Sequence, residues 1–114
     1  MSTPRSEPAC FAGEREMLEG WLEYHRATLA MKCEGVSADQ LRRRAVPPST
    51  LSLLGLIRHM ADVERLWFQR VLAGEDAPPL YYSDAEPDGE FDGVDGADPA
   101  EAFTAWRAEC DRAR

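Results

Sequence analysis

Histidine is scarce in this 114-residue chain, which has two, and its three cysteines form no C-x-x-C pair. An odd set of widely spaced cysteines, Cys10, Cys33 and Cys110, argues against a disulfide framework or zinc knuckle and for a reducing cytoplasm. The longest apolar run is LLGLI, far short of the roughly 20 residues that cross a bilayer. No secretory signal fits the start of the chain, so neither export nor a membrane partner is expected. Cations are outnumbered, 13 basic residues against 21 acidic for a net charge of -8. A nucleic-acid partner, which selects basic surfaces, is therefore not expected. No stretch alternates long enough for a strand, and no internal repeat is visible.

What is present suits one domain. A 44% hydrophobic content with three tryptophans fits a packed core. Residues 1–13 read as a loose polar tail and residues 14–114 as one helical domain. From Glu14 to about Cys33, Leu18, Leu22, Leu29 and Cys33 recur on one face, with His25 inside that stripe and Gly35 beyond it as a stop. SADQLRRR begins with Ser37 and places Gln40 three residues on, a capping-box signature for a short helix that Pro47 and Pro48 close. Its run Arg42, Arg43, Arg44 reads as a solvated face.

A long helix follows, with Ser49, Thr50 or Ser52 as N-cap and Gly74 as terminator. At 100° per residue, Leu53, Leu56, Ile57, Met60, Val63, Trp67 and Val71 cluster on one face. His59 lies at the edge of that face, Glu64 leans toward it, and Arg58, Arg65 and Gln69 point away. Residues 75–97 show no helical period and read as a solvated acidic loop. Within it, DAEPDGEFDGVD imitates a calcium-binding loop, but Pro87 and the lack of a helix leading into Asp84 spoil the match. A last helix opens with Asp98 as N-cap and Pro99 at its first position, with Phe103, Trp106, Cys110 and Ala113 on its apolar side. The fold class is thus all-α, of the up-and-down bundle type, with three long helices, a short segment and a long acidic loop.

Two histidines make a weak metal signal, because a zinc-type centre usually takes three or four protein ligands. Read from spacing alone, His59 is an edge histidine and His25 an interior one, while Cys33 and Cys110 are buried packing residues. Glu64 could orient a histidine or act as a base, or pair with an arginine such as Arg26.

In order along the chain, YHRATL, LSLLGLIRHM, ERLWF and YYSDAEPD together resemble the DinB-like superfamily. The closer likeness is to its actinobacterial domain-of-unknown-function branch, related to mycothiol-dependent enzymes. It spans about residues 14–112. The resemblance implies a four-helix bundle holding a divalent metal, zinc or nickel, on three histidines. His59 matches the first ligand, and His25 and Glu64 are candidates for the surrounding pocket. The other two ligands form an H-x-x-x-H pair on a final helix, which residues 1–114 do not contain. The chain therefore reads as C-terminally incomplete. The activity implied is that of a metal-dependent thiol transferase using mycothiol, expected to be inactive without that helix. The alternative is a non-catalytic helical module. A bundle short of one helix leaves an apolar seam open, so homodimerisation or other self-association is expected, with Trp106 and Phe103 at the seam.

Overall fold

A computed structural model describes residues 3–8 and 13–114. Cys10 and the other residues of the tail at 1–2 and 9–12 lie outside the described residues. The fold is all-α: three long helices and several short ones, with no strand among the described residues. The chain divides into two compact units, one ending at Val36 and one running from Ser37 to Arg114.

The first unit is built on α1 (Glu14–Cys33). Glu14 and Glu16 sit in its first turn and Lys32 in its last, each sign at the end where the helix dipole favours it. Residues ahead of it are tied back onto it. Arg5 lies 4.6 Å from the centre of the Tyr24 ring and donates to Thr28 Oγ1 at 3.1 Å.

The second unit starts with α2 (Ala38–Arg42), where Ser37 and Gln40 complete the expected capping box. The helix ends at Arg42, ahead of the two prolines expected to close it. α3 (Leu53–Glu64) is capped by Ser52, whose hydroxyl accepts from Gly55 N at 3.0 Å. Without a break α3 continues as a π-helical segment, Arg65–Leu72, and stops at Gly74, whose φ of 68° suits glycine. α4 (Gly89–Asp92) and a 3₁₀ turn (Val94–Gly96) follow, and α5 (Pro99–Ala113) opens on the expected Asp98 cap and Pro99. α3 packs mainly on α5. Leu54, Ile57 and Ala61 of α3 are fully buried, and Ala102, Trp106 and Cys110 form the facing stripe of α5. Among the described residues no helix is long and apolar enough to cross a membrane.

Four expectations are corrected. First, the long helix does not keep one apolar face. Trp67 and Val71, expected in the core, are 56% and 58% exposed, whereas Gln69, expected outside, is buried. The departure begins in the regular half, where Leu54 and Ala61 are fully buried while Leu53, Leu56, Met60 and Val63 are only half-buried. That stripe carries Arg65 inward and Trp67 outward, and the switch to i→i+5 bonding after Glu64 shifts the later residues further. Second, residues 75–97 are not a solvated connection. Ala77, Gly89, Glu90, Val94 and Ala97 are buried, and α4 and the 3₁₀ turn form inside the stretch. Third, the arginine run is not merely a solvated face. Arg42 donates to the Ala97 carbonyl at 2.8 Å, and Arg44 reaches Asp95 and the Phe91 carbonyl, both at 3.3 Å. Fourth, Trp106 is not at an open seam, because it is 4% exposed. Cys33 and Cys110 are buried, as expected of packing residues.

Candidate functional site: the His59 cleft

One turn of α3 grips the acidic stretch from two sides. Arg58 donates through Nε to the Glu90 carbonyl at 3.0 Å and through Nη2 to the Gly89 carbonyl at 3.1 Å. The same guanidinium lies 4.3 Å from the centre of the Tyr81 ring, a cation–π contact. Asp62, one turn along, accepts from Leu80 N at 2.7 Å and Tyr81 N at 3.0 Å. Burial pushes the Asp62 carboxyl up from its ordinary range, and these two backbone N–H groups pull the other way.

The two gripped strips of backbone, 80–81 and 89–90, press against each other. A Cβ added at Gly89 would collide with the Tyr81 carbonyl oxygen, so only glycine fits there. Tyr81 is fixed at its far end too, its hydroxyl donating to Glu101 on α5 at 3.0 Å. Its phenol is pushed well up, chiefly by burial and then by that carboxylate.

This clamp carries Glu90 to His59. Nδ1 of His59 lies 3.3 Å from Glu90 Oε1, and the imidazole stands 5.4 Å from the Phe91 ring, tilted by 33°. The histidine side chain is 39% exposed and the glutamate 9%. Glu90 Oε2 is buried without a hydrogen-bond partner among the described residues. Beside the pair opens a cleft of about 180 Å³, lined by His59, Asp62, Val63, Leu66, Tyr82, Pro87 and Glu90. Its walls are mostly apolar, with the His59 imidazole and the Asp62 and Glu90 carboxylates as the charged or titratable lining groups.

Of the three candidate site residues His25, His59 and Glu64, His59 lines this cleft. Glu64 is buried on α3 but is not a lining residue. His25, expected inside an apolar stripe, is instead exposed on α1 in the first unit, where Leu18 and Leu22 of that stripe are exposed too. Its ring lies 5.4 Å from Tyr24 and 6.0 Å from Trp21. The sequence reading missed Glu90, Arg58 and Asp62. A usable signal was present: Phe91 and Val94 recur at helical spacing inside the acidic run, beside a glycine at 89.

The π-helical segment is fixed from its other side. Glu109 of α5, 2% exposed, accepts from Arg65 Nη1 at 3.0 Å, from Arg112 Nη1 at 2.7 Å and from Gln69 Nε2. Arg65 also donates to the Pro78 carbonyl at 2.6 Å, linking the segment to the start of the acidic stretch. Leu66, between these polar residues, is thereby held at the cleft wall.

Fold and site together define an all-α protein with a histidine–carboxylate pair lining a small, largely apolar cleft. Residues 17–114 match the profile of the mycothiol-S-transferase family, and the chain belongs to that DinB-like family. No curated protein and no solved structure gives a significant match.

The family resemblance implies a divalent metal, and the donor groups test that. Among the described residues no group of three or more His, Cys, Asp or Glu side chains is placed to hold a metal ion. At the cleft, one imidazole faces a carboxylate already engaged to it, and both Asp62 oxygens accept backbone N–H groups. These residues do not fit a three-ligand centre by themselves.

Proposed function

We propose that the chain handles mycothiol at the His59 cleft, as a mycothiol-S-transferase-like protein. The family match supports the reaction class. The observation that carries the site is that His59 borders the cleft with its Nδ1 3.3 Å from a buried carboxylate oxygen. An imidazole oriented by a carboxylate is the usual arrangement where a histidine must present its other nitrogen to chemistry.

In the proposed transfer the thiol of mycothiol gives up its proton to solvent water. Its sulfur then forms a bond to an electrophilic carbon of the acceptor, which releases its leaving group. The chain's residues bind and orient. Val63, Leu66, Pro87 and the Tyr82 ring take the apolar part of the acceptor and exclude water from it. His59 fixes the polar end where sulfur and acceptor meet. The zinc or nickel ion implied by resemblance would engage His59, but the described residues complete no centre for it, and no step is assigned to it.

The test supplies mycothiol and a fluorogenic alkyl halide to the purified chain, with and without added zinc or nickel. The expected result is conjugate formation above the uncatalysed rate that drops at least about tenfold in His59→Ala, the effect of losing about 1.4 kcal/mol of transition-state stabilisation. A folded wild-type chain showing only the background rate under both conditions contradicts the proposal.

A further inference from the structure

We propose that Glu90 is a positioning residue that fixes His59 as its Nδ1–H tautomer, with Arg58 holding Glu90 in place. A carboxylate oxygen only accepts hydrogen bonds, so at 3.3 Å from Glu90 Oε1 the proton belongs on Nδ1. Nε2 is then left with the lone pair, on the side of the ring away from Glu90. The glutamate side chain is 9% exposed, and its second oxygen finds no donor among the described residues. Few other partners are therefore available to compensate this carboxylate, and burial raises the cost of losing the contact to His59.

The ring has little freedom to turn away. Phe91 sets its plane from one face at 5.4 Å, while Glu90, the preceding residue, sets its rotation within that plane. Both residues belong to α4, whose first two carbonyls are the ones Arg58 holds. Sequence separation shows why a clamp is needed: Glu90 lies 31 residues from His59. Without a tether on its backbone, that carboxylate would take its solvated rotamers.

This inference rests on the proposed reading only in taking His59 as the imidazole of the site. It is read without mycothiol or acceptor, so its failure and a failure of transfer are distinguishable. The experiment is long-range proton–nitrogen NMR of the full chain labelled with ¹⁵N-histidine, at about pH 8, above the ordinary histidine range. Because His25 is the other histidine, His59→Gln assigns the signals. The expected wild-type spectrum has a protonated Nδ1 and an unprotonated Nε2 at His59. In Glu90→Ala and Arg58→Gln the pattern should move toward the Nε2–H form that free imidazole side chains favour, with His25 unchanged. A wild-type His59 protonated on Nε2 overturns the proposal without any variant being needed. So does an Nδ1–H form that persists unaltered in folded Glu90→Ala.

Discussion

The two halves of the central helical rod hold to α5 by different physics. In α3, Leu54, Ile57 and Ala61 are fully buried in the core, at 0% solvent exposure. In the π-helical half the buried contact is polar: Arg65 and Gln69 converge on the Glu109 carboxylate, while Trp67 and Val71 face outward. The long polar side chains of the i→i+5 segment face inward, and α5 meets them with a carboxylate at 109 where it meets α3 with alanine and tryptophan. The difference matters for function because His59 and Asp62 lie on the regular half and Leu66 on the other, so the cleft straddles the change of register.

The sharpest way to break this comparison is to remove the polar hub. Glu109→Ala leaves Arg65 and Gln69 without their buried acceptor, and losing one partner of a buried ion pair costs about 3–5 kcal/mol. Urea denaturation should show that loss; a change near zero would mean the π-helical half is held by something other than Glu109. On the regular half, Ile57→Ala deletes fully buried carbon and should cost about 2–5 kcal/mol by the same measurement. Ser52→Ala removes the α3 cap and should cost about 1 kcal/mol, leaving the Glu109 cluster unaffected. The smallest effect belongs to Val71→Ser, within about 0.5 kcal/mol because the side chain faces solvent. A loss of several kcal/mol there would restore the unbroken apolar face and refute the register change.

The sequence was most legible where structure is local. Ser37 with Gln40, Asp98 with Pro99, and Gly74 each declare a helix end through bonds that span a few residues. Ser52 was one of three candidate caps, and side-chain geometry selects it. His59 stood out through family resemblance rather than through spacing. Its partner did not. Glu90 sits in an acidic run whose composition resembles solvated loop; Phe91 and Val94 hint at a helical turn there, but that hint does not say which glutamate will be buried by contacts 31 residues away. The error on Arg65 and Gln69 has another origin: a wheel centred on Leu53, Leu56 and Met60 misses the stripe that is buried, Leu54, Ile57 and Ala61. The π register after Glu64 departs further from the single repeat a wheel assumes.

The central claim is that mycothiol is handled at the cleft that α3 and the acidic stretch build around His59. Titration of mycothiol into ¹⁵N-labelled chain, followed by amide chemical shifts, tests it most directly. The account predicts saturable shifts centred on His59, Val63, Leu66, Tyr82 and Glu90, weakened in His59→Ala. Shifts confined to α1, or no saturable shift with the fold intact, would contradict it.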